Sequence, residues 1–126
     1  MPDRSLPRSE RLRSLGAVRR LFEEGESGFI YPFRYVWLAD PAAENAAVAE
    51  VLFSVPKKFH KRANKRNLLR RRTKEAYRLR KAILGVGNRP KGLDMALIYS
   101  TKEILPYNRI EHAVQRILES IAEGFR

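Results

Sequence analysis

The sequence has no cysteine in 126 residues and only two histidines, His60 and His112. That excludes a disulfide framework, a thiol nucleophile and a cysteine-based zinc site, and the histidines lie too far apart to match any metal-ligand spacing. Long apolar runs are also missing. None approaches the ~20 residues of a helical membrane span. Residues 1–7 hold two prolines and no apolar stretch of the secretory type, so the expected location is the cytoplasm. Acids are scarce where bases are dense. The window from Lys57 to Lys81 contains 13 of the 26 Lys and Arg but a single acid, Glu75, and so carries the whole formal charge of +12. A metal nuclease would gather carboxylates to hold two cations ~4 Å apart. The 14 acids here are scattered. No phosphate-cradling loop is present either, because the glycines of 85–92 lead into no helix opening with Lys-Ser or Lys-Thr.

What remains is an ordinary neutral scaffold carrying one concentrated cationic element. Hydrophobic residues make up 44% of the chain, enough for a real core at a length typical of a single domain, 1–126, with 1–9 as an extended arm. Self-repulsion within the basic window works against the compact state. A polyanion would relieve it. A merely solvated face would mix signs.

The remaining chain reads as alternating helices and strands. Ser14 can cap a first helix over 15–24, in which Leu15, Val18, Leu21 and Phe22 recur at helical spacing and Gly25 suits the stop. Residues 29–38 alternate as a strand and break near Pro32 into two short segments. A loop at 40–45 leads to a second strand over 47–55, with Val51, Phe53 and Val55 on one face and Glu50 and Ser54 on the other. After the basic window and the breaker-rich 85–92 loop, 93–99 reads as a buried strand. The last helix shows Ile110, Val114, Ile117, Leu118 and Ile121 on one stripe, with Asn108 as cap, Glu111 three residues on and Gly124 as terminator. The order α-β-β-β-α-β-α predicts an α+β sandwich with one small mixed sheet of about four strands. Periodicity alone leads to a right-handed crossover through the basic element.

The basic window predicts a helix over 64–84, ~30 Å long. Leu69, Ala76, Leu79 and Ile83 share one stripe, while Asn67, Arg70, Arg71, Lys74, Arg78 and Lys81 fall on the other side. One face can dock on a sheet while the other shows a row of cations to RNA phosphates. A membrane-surface helix needs a broader apolar face than this one, which lacks Trp, Phe and Met. A calmodulin-type target is disfavoured because the helix is built into a domain. Arg72 projects to the edge of the apolar stripe, where its stem must snorkel. Glu75 can pair with Arg71 or Arg78. His60, beside Lys57, Lys58 and Lys61, reads as a phosphate contact or an exposed ring rather than a general acid, and His112 as a residue of the polar face.

These residues carry a resemblance. Val55-Pro56-Lys57-Lys58, then Lys65-Arg66-Asn67, Arg70-Arg71 and Lys74-Glu75-Ala76-Tyr77-Arg78 resemble the signature of the bacterial ribonuclease P protein component. Its Lys-Lys pair leaves a strand, its helix opens with Arg-Asn-Arg and closes with Arg-Glu-Ala-Phe/Tyr-Arg. Upstream, Glu10 to Ser14, Leu21 to Gly25 and Tyr31-Pro32-Phe33 are similar to the family's N-terminal region, so the resemblance covers about residues 10–121. The clear departure is the third position of the Arg-Asn-Arg core, Leu68, so that arginine's role must fall to Arg70, Arg71 or Arg72 or be lost; Lys61-Arg62-Ala63-Asn64 is also more cationic and less apolar than the family's usual approach to the helix.

The resemblance implies a fold like the second domain of ribosomal protein S5, with a left-handed crossover through the basic helix. It implies two partners, the catalytic RNA of ribonuclease P and precursor tRNA, with a monomeric protein in a 1:1 complex with the RNA. The RNA and its Mg²⁺ ions would remove the 5′ leader, and the protein would supply no catalytic residue and no firm metal ligand. Lys57, Lys58, Lys61, Lys65, Arg66, Asn67, Arg70, Arg71, Lys74 and Arg78 would bind RNA. Phe22 matches an aromatic of the family's leader cleft. One of Tyr35 and Trp37 would correspond to its cleft tyrosine, unless all three rings, Phe22 included, are ordinary core aromatics. A second cleft aromatic is replaced by Val18. Arg11 and Arg13 offer cations for leader phosphates, or else stay solvated in the arm. Two other classes fit the composition: a ribosomal or assembly RNA-binding protein without an enzymatic role, and a free-standing RNase.

Overall fold

The computed structural model describes residues 12, 15–40, 49–84 and 92–124. The expected arm at 1–9, Arg11, Arg13, the Ser14 cap, and residues 41–45 and 85–91 of the two expected loops lie outside the described residues. The elements follow the expected order: α1 (Leu15–Glu24), β1 (Glu26–Ile30), β2 (Phe33–Asp40), β3 (Ala49–Ser54), α2 (Ala63–Arg80) with a 3-10 turn at Lys81–Leu84, β4 (Gly92–Tyr99) and α3 (Tyr107–Gly124).

Apolar alternation builds a mixed four-stranded sheet in the order β1-β2-β4-β3. β1 pairs antiparallel with β2, and β2 with β4. β3 and β4 are parallel neighbours, with Val51 opposite Met95 and Phe53 opposite Leu97. A parallel pair cannot be closed by a hairpin, so the chain between them must cross over, and α2 is that crossover. The break foreseen near Pro32 is the β1–β2 turn, whose Tyr31–Pro32 bond is cis.

The sheet is covered on both faces. On one, Phe33, Tyr35, Val51, Phe53, Met95, Leu97 and Tyr99 pack against α2 and α3. All five apolar positions read for α3 are buried there. The opposite strand parity carries Val36 and Ala96, which pack with Leu12 and with Leu21 of α1. Gly25 makes the turn from α1 into β1 possible. A β-carbon there would run into the Leu21 carbonyl oxygen and lie 2.8 Å from Val36, so any larger residue would force the backbone at this turn to shift.

Two local expectations are corrected. α3 begins at Tyr107, and the Pro106 carbonyl accepts from the amides of Arg109 and Ile110, so Asn108 lies inside the first turn rather than capping it. The buried stripe of α2 is Leu69, Thr73, Ala76 and Tyr77. Leu79 and Ile83 are half-buried, Ile83 still packing against the core from the 3-10 turn, and Tyr77, edge-on to Phe53 at 5.6 Å, joins the inner face. Thr73 is accommodated in that stripe because its hydroxyl donates back to the Leu69 carbonyl at 2.8 Å.

Candidate nucleic-acid interface

The cationic element starts before the helix. After β3 the chain leaves through Val55 and Pro56 and turns, with the Pro56 carbonyl accepting from the amides of Phe59 and His60. Lys57, Lys58 and Lys61 stand exposed around this turn. His60 does not join them. It is 7% exposed, its Nε2 lies 2.7 Å from the Thr101 carbonyl, and its ring packs near Tyr99. His60 therefore pins the lysine turn to the segment between β4 and α3, and the expectation of an exposed, phosphate-facing ring is corrected.

α2 begins at Ala63 without a capping side chain and without an acid in its first turn. Its free amides and the positive end of its dipole stand beside Lys61, Arg62, Lys65 and Arg66, an arrangement that favours an incoming anion. The cations of the helix divide into two groups. Arg66 Nη1 donates to the carbonyls of His60 at 3.1 Å and Lys61 at 2.7 Å. Arg72 Nη1 donates to the Leu105 carbonyl at 2.7 Å. Arg80 reaches Glu111 on α3 at 2.5 Å. These three hold the helix and its approach to the rest of the protein. The edge position foreseen for Arg72 is thus used for a backbone contact.

The second group forms the ridge. Lys57, Lys61, Arg62, Lys65 and Arg71 make no side-chain hydrogen bond or ion pair among the described residues, and Lys58 lies 5.0 Å from the centre of the Phe59 ring. Arg70 donates to Asn67 Oδ1 at 3.2 Å, which orders both side chains on the outer face. Lys74 is half-exposed on the same side. Arg78 bonds Glu75 through two nitrogens at 3.1 and 2.6 Å, so Arg78, not Arg71, is the partner of that acid. The hydrogen bond from Arg78 holds the Glu75 carboxyl below the usual glutamate range and raises Arg78 in turn. Of the residues able to stand in for the arginine absent at Leu68, Arg72 is engaged by Leu105 and Arg70 by Asn67. Arg71 is the one left exposed and unengaged among the described residues.

The leader candidates fall on two faces. Phe22 is 46% exposed on α1, one turn from Val18. Tyr35 and Trp37 have the opposite strand parity and belong to the α3 side. Tyr35 is 8% exposed and its hydroxyl lies 3.3 Å from that of Ser120. Trp37 is half-buried, and its ring sits where a β-carbon on Gly124 would fall, 2.6 Å away. Both are core aromatics in this structure, and neither shares a surface with Phe22. Sequence reading overlooked Arg34, an exposed cation of the same parity as Val36 and hence on the α1 face. Strand alternation was the signal that could have shown it.

Among the described residues no three His, Asp or Glu side chains gather as a metal site, and no helix is long and apolar enough to cross a membrane.

Comparison with known proteins matches this geometry. The family model for ribonuclease P matches residues 6–122. The ribonuclease P protein component of Porphyromonas gingivalis strain ATCC 33277 is 34% identical over 119 residues, covering 93% of this chain and 86% of that protein. That of Chlorobaculum tepidum is 41% identical over 85 residues, covering 64% and 53%. The solved structure of the Staphylococcus aureus RNase P protein superposes with a TM-score of 0.72 at 19% identity, covering 93% of this chain and 98% of that one. For the Thermotoga maritima RNase P protein the values are 0.70, 24%, 88% and 96%. At these identities the structural likeness shows the fold, whereas the family match and the relatives' identity carry the assignment: the chain belongs to the ribonuclease P protein component family.

Proposed function

We propose that this chain works as the RNA-binding subunit of a ribonuclease P holoenzyme in tRNA 5′ maturation. It holds the catalytic RNA through the α2 ridge and the lysine turn before it. The supporting observation is the division of the cations: Arg66, Arg72 and Arg80 fix the element, while Arg71, Lys57, Lys61 and Lys65 are left exposed or half-exposed without internal partners among the described residues. A rigid row of this kind matches phosphates at small entropic cost.

The 5′ leader of precursor tRNA passes along the α1 face. There Phe22 offers a ring for stacking and Arg34 a charge for the backbone. Tyr35 and Trp37 lie outside this assignment. Mg²⁺ is held mainly by the RNA, which carries the phosphodiester hydrolysis. The protein contributes binding and orientation in a 1:1 complex in the cytoplasm. The family membership favours this reading over a ribosomal or assembly role.

The test is 5′ processing of a precursor tRNA by a bacterial ribonuclease P RNA at low Mg²⁺, with and without the protein. Processing is expected to rise above that of RNA alone. No rise would overturn the proposal, and metal-dependent cutting by the protein alone would favour a free-standing nuclease.

A further inference from the structure

A second cluster of positive charge lies on α3. The β1–β2 turn and the outer face of α3 enclose a pocket of about 450 Å³, lined by Tyr31, Asn108, Arg109, His112 and Arg116 over an apolar floor that includes Leu105. This volume is typical of small-molecule sites, which run to roughly 300–1,000 Å³. We propose that the pocket binds the phosphate of a single nucleotide, with the base laid against Tyr31.

Three observations support the assignment. First, the lining is cationic without any acid. Arg109, His112 and Arg116 stand at i, i+3 and i+7 and so form one stripe of α3. Secondly, no side chain of that stripe makes a hydrogen bond or ion pair among the described residues, in contrast to the arginines that hold α2. Two forked donors and an imidazole left unengaged around one concavity suit a phosphate group. Thirdly, the aromatic wall is fixed. Tyr31 is 41% exposed, yet its hydroxyl donates to Glu103 Oε1 at 2.5 Å, which orders the ring and engages that carboxylate outside the lining. An ordered aromatic beside cations is the arrangement that takes up a nucleobase with its phosphate.

The pocket presents other side chains than the ridge does. It borders β1, at one edge of the sheet, whereas the basic turn leaves β3 at the other. The two meet through the segment between β4 and α3, where the carbonyl of Leu105, a residue of the pocket floor, accepts from Arg72 of α2. The proposal stands apart from the ribonuclease P reading, because it concerns nucleotide phosphate chemistry at α3 and the β1–β2 turn and uses none of the α2 cations.

The test is NMR titration of the full chain with adenosine, inorganic phosphate, AMP and the trinucleotide ApApA, following the side-chain signals of Arg109, His112 and Arg116. AMP is expected to move all three saturably, phosphate to bind more weakly, and adenosine to leave them unmoved. An Arg109→Ala/Arg116→Ala variant should weaken AMP by about tenfold or more, and the double lysine variant should fall between it and the native chain. An Arg70→Ala/Arg71→Ala/Lys74→Ala variant should bind AMP as the native chain does. Tighter binding of ApApA than of AMP would identify an RNA strand as the source of the phosphate, and equal binding a free nucleotide. Either supports the shared chemistry. Shifts confined to α2, or equal binding of adenosine and AMP, would overturn the proposal. Equal binding of phosphate and AMP would overturn the role given to Tyr31.

Discussion

Arg66 Nη1 donates to the Lys61 carbonyl at 2.7 Å, so a residue of the family signature supports the backbone of the lysine turn rather than extending into solvent. The same nitrogen reaches the His60 carbonyl, and the His60 ring in turn meets the Thr101 carbonyl. Arg66→Ala should therefore lower stability by about 1–2 kcal/mol and weaken RNA association beyond the loss of one charge. Arg66→Lys, which keeps the charge but loses the fork, should recover little of either. Thermal melts and RNA affinity measured on the two variants check this.

The ridge itself should be separable from the fold. Replacing Arg70, Arg71 and Lys74 together by alanine should abolish RNA association and leave the melting temperature near the native value, since Arg71 is exposed and the other two half-exposed. For the native chain, log affinity should fall steeply with log salt, by roughly 0.7–0.9 per phosphate neutralised. A flat response, or a large loss of fold in the triple variant, would show that these side chains are not the anchor.

Phe22 and Tyr35 should behave oppositely. Phe22→Ala removes an exposed ring and should weaken binding of precursor tRNA with little change in stability. Tyr35→Phe removes a hydroxyl that lies 3.3 Å from Ser120 and should cost about 0.5–1.5 kcal/mol while leaving substrate affinity intact. Denaturant unfolding and leader-dependent binding, measured on both variants, separate the two roles.

The seam between α2 and α3 should be acid-sensitive. The hydrogen bond from Arg80 holds the Glu111 carboxyl below the usual glutamate range. Beside it, the buried Tyr107 hydroxyl makes no well-formed hydrogen bond; burial first, then the carboxylate, pushes it up to about 12. Because the Glu111 value is lower in the folded chain than in the unfolded one, its contribution is fully present above the ordinary value of about 4.3 and fades as pH falls below it. The pair is partly exposed, with side chains 43% and 23% accessible, so Glu111→Gln should cost no more than about 1 kcal/mol near neutrality. The gap between variant and native unfolding free energies should close in acid.

Much of this architecture could be read from the residues. The α3 stripe from Ile110 to Ile121 is buried as its spacing requires, and Pro32 divides two strands because it cannot join a ladder. The basic helix was legible as a helix, and Leu69 and Ala76 as its inner face. Less legible was which cations turn inward. Arg66 bonds to the carbonyls of the turn just before its helix and Arg72 to that of Leu105, 33 residues on, and charge composition does not distinguish them from Arg71. Tyr35 and Trp37 posed a different problem. Both faces of β2 are covered, so alternation shows that the two rings share a face but not which helix covers it. The α3 cations were passed over because charges on the polar side of an amphipathic helix look alike until a turn such as that at Tyr31 closes a concavity over them.

The central claim is that the exposed cations of α2 and its approach form the surface that grips the catalytic RNA. Hydroxyl-radical footprinting of a bacterial ribonuclease P RNA tests it most directly, with the native chain and with the Arg70, Arg71 and Lys74 triple alanine variant. The account predicts a defined protected tract with the native protein that disappears with the variant. The same protection with both proteins would contradict it.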